Sequence, residues 1–282
     1  MNPTVIYQWP RSSRYLINQL LPEAAYLPAE PDGDTCESVL ERLEGICECL
    51  WFHLDCTLTS NFPDGRMELL AWLTSRNVHV INGHITDISK KHIQQFNRDH
   101  GFHDVSATQT GDPDEMLIVK SNYNYFGVVE RKLSLLAQAR LGLSDAVPEG
   151  FEYRVEKRSS VDSTCWTNPA FVCERFIHNP YGIWYRAYLR RPKVVVCQFQ
   201  NPAPIKKVGP SIRLQTTSFR TDGDPGASGA VASLVLRFID AFRLDFGCLD
   251  VVTDLKGFAA VIDVNPTPWA TVQPGMVSYL TA

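Results

Sequence analysis

The stretch CLDVVTDLKGFAAVIDVNPTPW, Cys248 to Trp269, constrains the chain more than any other. Two β-rich runs, CLDVVT and AAVIDVN, flank DLKGF, and this pattern reads as a β-hairpin with Gly257 in its turn. With Lys256 and Gly257 as the loop, Leu255 pairs with Phe258, and counting outward sets Asp250 opposite Asp263. Asn265 then shares their face one pleat further on, while Ile262 and Val264 are expected to bury the back of the strand. Two carboxylates facing each other across a ladder repel. A divalent cation between them removes the repulsion, and an oxygen-only donor set suits Mg2+ or Mn2+ rather than zinc. Because Mg2+ is commonly completed by substrate phosphates, the hairpin suggests a metal site facing a nucleotide. Two solvated acids on an exposed sheet face account for the spacing equally well.

The rest of the chain has to supply a core and a setting for this hairpin. With 282 residues, 44% of them hydrophobic, it suffices for one large domain or two to three small ones. A net charge of −4 gives no basic excess of the kind nucleic acid attracts. MNPTVIYQWPRSS has no apolar core of a signal peptide, and no apolar run reaches the ~18 residues of a membrane span. The expectation is a cytoplasmic protein without membrane or nucleic-acid partners. The eight cysteines form no C-x-x-C pair and sit mostly among apolar residues, as reduced, buried thiols do. A zinc site from Cys47, Cys49, Cys56 and His53 fits no common ligand spacing.

Along the chain, TVIYQWP reads as an opening strand, and RSSRYLINQLL, residues 35–50 and GRMELLAWLTSRN read as helices. With the short strand VHVING, they predict a small α/β domain over residues 1–84. DISKKHIQQFNRDHGF is a helix capped by Asp87 or Ser89 and stopped at Gly101. EMLIVKS and FVCERFI are strands, WYRAYLRRPKVVVCQFQ a strand pair, QNPAPIKKVGPS a loop, and SGAVASLVLRFIDAFRL the clearest helix.

In this order the segments resemble the ATP-grasp superfamily, which includes D-alanine–D-alanine ligases, glutathione synthetases and glutamate ligases. Asp250, then Asp263, Asn265 and a proline resemble its metal-binding end. INGHITDISKKHIQQFNRDHGF is similar to the segment bearing a nucleotide lysine, here Lys90 rather than Lys91. EMLIVKS is similar to the strand whose last lysine, Lys120, meets phosphate. VCERFI resembles the hinge that receives adenine, implying that Glu174 accepts from the amino group and that backbone at Arg175, Phe176 and Ile177 meets the ring edge. WYRAYL resembles the strand whose arginine, Arg186, stands near the transferred phosphate. The resemblance covers residues 80–270.

The resemblance implies an α/β (α+β) ATP-grasp fold with nucleotide between two antiparallel-sheet subdomains. The implied divisions are an N-terminal domain over 1–84, a phosphate-loop subdomain over 85–172 and a metal-binding subdomain over 173–282. The implied activity is ATP- and Mg2+-dependent ligation of a small-molecule or peptide carboxylate to an amine through an acylphosphate, with Mn2+ as a substitute ion and a homo-oligomer left open. Arg186 and Lys120 would be catalytic, Lys90, Lys120, Glu174, Arg175, Phe176, Ile177 and Asn265 would hold nucleotide, and Asp250, Asp263 and Asn265 would hold metal. Residues before 85 and the 200–220 stretch, with Lys206, Lys207, Arg213 and Arg220, would shape an acceptor pocket.

The sequence departs from the family pattern in four places. SNYNYFG, Ser121 to Gly127, replaces a glycine-rich phosphate loop, with Asn122 and Asn124 as its left-handed candidates. HNPYGIWYR lacks a ribose-binding acid, Cys248 stands where a basic residue is usual, and Trp269 stands where a glycine is usual. An Asp before x-Asn also fits inositol phosphate kinases of this fold, whose basic substrate face a net charge of −4 does not supply. The altered loop keeps open a nucleotide-binding pseudo-enzyme or interaction module.

Overall fold

The apolar runs of the first eighty residues form a parallel sheet. The structure is a computed structural model that describes residues 4–43, 47–143, 150–205, 210–222, 229–270 and 274–281. Strands β1 (Thr4–Trp9), β2 (Ala25–Pro28), β3 (Cys49–Leu54) and β4 (His79–Ile81) lie in the order β2-β1-β3-β4, all parallel. Helices α1 (Leu16–Leu20), α2 (Cys36–Leu43) and α3 (Arg66–Ser75) connect them. The helix expected over 35–50 ends at Leu43, and CLWFHL is β3. A parallel strand buried on both faces reads as one continuous apolar run, which periodicity does not separate from a buried helix. Helix α2 starts where Thr35 and Ser38 cap each other, each backbone N–H donating to the other's hydroxyl at 2.9 and 3.2 Å.

Helix α4 (Lys90–Asp99) is capped by Ser89, whose hydroxyl accepts from His92 N–H. Three strands follow: β5 (Met116–Ser121), β6 (Arg154–Lys157) and β7 (Phe171–Arg175), arranged antiparallel as β6-β5-β7, with α5 (Leu135–Arg140) and α6 (Ser163–Thr167) between them in sequence. A five-stranded antiparallel sheet contains β8 (Ile183–Arg190), β9 (Lys193–Gln200), β10 (Ile212–Arg220), β11 (Phe246–Thr253) and β12 (Ala259–Asn265), in the order β10-β9-β8-β11-β12. Helix α7 (Gly229–Phe242) precedes β11, and α8 (Pro274–Thr281) follows β12. A division of the chain at 172/173 would cut β7, which pairs wholly within the three-stranded sheet. Helix α4 packs with the five-stranded sheet, since Ile93 shares a core with Val235, Phe238 and Ile239 of α7 and with Leu249, Val261 and Val264. Among the described residues no helix is long and apolar enough to cross a membrane.

Arg66 ties these layers together. Its guanidinium is 2% exposed and donates to carbonyls of Thr59, Phe62, Asn82, Gly83 and Ile85 at 2.8–3.3 Å. Asn82, held in the left-handed region, donates to Phe246 O at 2.7 Å and accepts from the N–H groups of Asp245 and Phe246. The end of the parallel sheet is thereby joined to the start of β11.

His53 lies in the same contact zone, fully buried, with Nδ1 3.1 Å from Gln8 Nε2 and its ring against Tyr15. Burial lowers its pKa from 6.5 to about 3. The unfolded chain therefore binds a proton that the folded chain refuses between these two values, and this contribution to stability is lost as pH falls through the window. Replacing His53 by Phe should flatten the pH dependence of the unfolding free energy, measured by urea denaturation between pH 4 and 6.5, by up to about 1.4 kcal/mol per pH unit.

Candidate functional site

The hairpin sets Asp250 against Asp263, and β8 sets Arg186 against Asp250 from the other side. The turn differs from expectation. Leu255, Lys256 and Gly257 form a three-residue loop, with Gly257 left-handed and Asp254 Oδ1 accepting from the N–H groups of Lys256 and Phe258. Next to the turn the register is one residue off the expected pairing, with Val251 opposite Val261. A bulge at Ile262 then restores the Asp250–Asp263 pair. Because of the bulge, Val261 and Val264 bury the back of the strand, whereas Ile262 lines a slot on the front. Gly247 lets the following turn settle on β11: a Cβ there would sit 2.7 Å from Asn265 O.

The two acids are not left to repel each other. Arg186 Nε and Nη2 meet Asp250 Oδ1 and Oδ2 at 2.7 and 3.0 Å, and Lys90 Nζ lies 3.8 Å from Asp263 Oδ1. The protein's own cations thus supply the relief that the sequence assigned to a metal ion alone. Burial alone would lower the Arg186 pKa, but Asp250 holds it well above the ordinary value. Asp250, Asp263 and the Asn265 amide present an oxygen-only donor set, of the kind that suits Mg2+. Asn265 Oδ1 also accepts from Thr267 N–H at 2.8 Å, and the Thr267 hydroxyl oxygen lies 2.9 Å from it.

The slot lies between the small antiparallel sheet and the large one. In β5 and β7, Ile118 pairs with Glu174, so Lys120, two residues on, shares the Glu174 face. The two side chains form an ion pair, 4% and 1% exposed, and Gln94 Nε2 donates to Glu174 Oε1 at 3.2 Å. Lys90 is 1% exposed and donates to Tyr123 O at 3.0 Å. Arg175, Phe176 and Ile177 also line the slot. Two hinge donors are already used: Arg175 N–H donates to Val105 O and Phe176 N–H to Met116 O. Ile177 N–H is the remaining hinge donor for a ring edge.

Sharing the Tyr153 wall with the slot is a chamber of about 360 Å³, lined by Arg186, Cys248, Asp250, Asp263 and Asn265. Its other walls are Asp55, Tyr125, Phe126, Pro268 and Trp269. Sequence reasoning misses Asp55 because the strand before it reads as the end of a helix. A carboxylate closing the apolar run CLWFHL in an α/β domain is the available signal. In the loop after β5, the left-handed residues are Tyr125 and Phe126 rather than Asn122 and Asn124. Asn122 instead binds the α4 N-terminus, accepting from Lys91 N–H at 2.9 Å.

Several sequence candidates lie elsewhere. Lys206 and Lys207 fall outside the described residues. Arg213 and Arg220 belong to β10, an edge strand not foreseen, where Arg213 approaches Met276 Sδ and Arg220 forms an exposed ion pair with Asp222. Pro204 and Ile205 line the slot, not the chamber. All eight cysteines are free, and among the described residues no group of three or more His, Cys, Asp or Glu side chains is arranged to hold a metal.

No family model and no curated protein matches the sequence. Solved structures do match. One is a RiPP-associated ATP-grasp ligase of Chryseobacterium gregarium in complex with ADP and a leader and core peptide: 11% identity, TM-score 0.55, covering 100% of this chain and 95% of that one. Another is a RimK domain protein ATP-grasp from Sphaerobacter thermophilus DSM 20745: 12% identity, TM-score 0.52, covering 99% of this chain and 96% of that one. The chain has the ATP-grasp fold.

The buried Lys120–Glu174 pair yields a direct test. Lys120→Met alone or Glu174→Leu alone should lower unfolding free energy by about 3–5 kcal/mol, each leaving a stranded charge, and the double variant should recover most of it. Chemical denaturation of the four proteins in a double-mutant cycle measures the coupling.

Proposed function

We propose that the chain is an ATP- and Mg2+-dependent ligase that joins a carboxylate to an amine. One observation carries the proposal: Lys90, Lys120 and Glu174 line a slot that shares a wall with the chamber holding Arg186, Asp250, Asp263 and Asn265. In this proposal Glu174 and the Ile177 N–H receive the adenine edge, and Lys90 and Lys120 hold phosphate oxygens. Asp250, Asp263 and Asn265 hold Mg2+, which would neutralise the triphosphate when bound. A carboxylate oxygen of the acid attacks the γ-phosphorus, ADP leaves, and an acylphosphate forms. The amine nitrogen then attacks the acyl carbon, inorganic phosphate departs with the C–O bonding pair, and the nitrogen gives up its proton to leave an amide. Arg186, anchored by Asp250, offers its remaining N–H groups to the phosphoryl oxygens as charge moves between them. The similar ligase of Chryseobacterium gregarium carries ADP with a leader and core peptide, which supports a nucleotide in the slot and keeps peptides among the candidate substrates.

The test is ADP release by the full chain with ATP, Mg2+ and mixtures of carboxylic acids and amines. Release should require Mg2+, an acid and an amine together. Asp263→Ala should lower it by about 10²–10³-fold or more, with the fold retained by circular dichroism. Unchanged turnover in that variant, or turnover driven by polyols instead of acid–amine mixtures, overturns the proposal.

A further inference from the structure

One wall of the chamber is not needed for phosphate chemistry. The order β2-β1-β3-β4 reverses between β1 and β3, and open α/β sheets bind ligands beyond the carboxyl ends of the strands at such a reversal. Asp55 stands there, one residue past β3, its N–H donating to Trp9 O at 2.8 Å. Its side chain lines the chamber although the residue is only 7% exposed. Asp55 Oδ2 accepts from the Tyr15 hydroxyl at 2.7 Å, and Oδ1 from the Thr267 hydroxyl at 2.9 Å and the Asn124 amide at 3.5 Å. All three donors are neutral. Among the described residues no lysine, arginine or histidine lies within ion-pair distance of Asp55, in contrast to Asp250 and Asp263. A buried carboxylate without a contacting cation is costly, and burial pushes its carboxyl pKa up against the lowering by its hydrogen bonds and the more distant Lys132. With three of about four acceptor positions filled, one remains.

The mouth of the same chamber is aromatic. Tyr125 and Trp269 are 53% and 40% exposed, with ring centroids 5.7 Å apart. Tyr125 is presented by a strained turn: it and Phe126 have φ of 43° and 58°, a region that residues other than glycine rarely adopt. Such strain persists where the surroundings over-determine it. The effect is to put rings where a glycine loop would leave bare backbone.

We infer that the chamber binds a primary ammonium group carried on a large apolar or aromatic body, such as an aromatic amino acid or the amino-terminal residue of a peptide. Asp55 receives the ammonium, and the Tyr125–Trp269 pair receives the body. The inference rests on the ligase proposal, in which this compound, once its ammonium has passed a proton to the Asp55 carboxylate, is the amine that attacks the acylphosphate.

Calorimetry on the full chain, with and without Mg2+ and ADP, tests it with three probes. L-phenylalaninamide has both features, L-alaninamide lacks the ring, and 3-phenylpropanamide lacks the ammonium. Phenylalaninamide should bind about tenfold or more tightly than either of the others. Asp55→Asn should erase the preference for the ammonium, and Trp269→Ala the preference for the ring. Equal binding of the three probes by the unmodified protein, or no binding of phenylalaninamide, overturns the inference, and this comparison holds even if Asp55→Asn does not fold. ADP binding without phenylalaninamide binding sinks the inference and leaves the nucleotide site standing. Asp55-dependent phenylalaninamide binding without ADP binding upholds the chamber and sinks the ligase proposal.

Discussion

A guanidinium that, among the described residues, is buried without a carboxylate partner ties together two turns at the end of the parallel sheet. Arg66 satisfies its donors with carbonyls from two separate turns, 59–62 and 82–85. Apolar packing alone would leave these carbonyls facing a dry interior, and each unmet acceptor costs about 1–3 kcal/mol. The second turn carries Asn82, whose amide bonds the start of β11, and leads within a few residues to Ser89 and the α4 N-terminus. Lys90 at one side of the site and Asp250 at the other thus descend from the same turn. Distances across the site depend on a residue that does not touch it.

Within the site, electrostatics is organised as a row in which two neighbouring carboxylates, Asp250 and Asp263, are flanked by two cations, Arg186 and Lys90. Register builds this row, since Arg186 pairs with Asp250 and Asp250 with Asp263 along adjacent strands. The ion pairs hold the two carboxylates in place beside each other. A preformed arrangement of this kind needs little reorganisation when phosphate charge arrives.

Much of this is legible in the sequence because it is local. The Asp250–Asp263 pairing follows from a turn and two alternating strands, and it holds with a loop one residue longer than expected only because the bulge at Ile262 offsets the difference. Lys120 and Glu174 are legible as polar ends of apolar strands, but their mutual ion pair is not, since it depends on antiparallel pairing across some fifty residues of chain. Asp55 is hidden for a physical reason: a strand buried on both faces has no period, so the first two residues of CLWFHL read as the end of the preceding helix and the rest show no strand alternation. β10 escapes for the opposite reason. At an exposed edge, Ile212–Arg220 has mostly polar side chains and little apolar patterning to show.

The left-handed turn at Tyr125 and Phe126 has a consequence for the energetics of binding. A glycine-rich flap samples many conformations and surrenders that freedom only when phosphate arrives, so its ordering opposes each binding event. A flap whose rings are already locked against Trp269 and Tyr153 gives up that freedom once, while the chain folds. Ligand binding then carries a smaller entropic penalty, and the speed of exchange passes from loop diffusion to the rotation of aromatic rings out of the doorway.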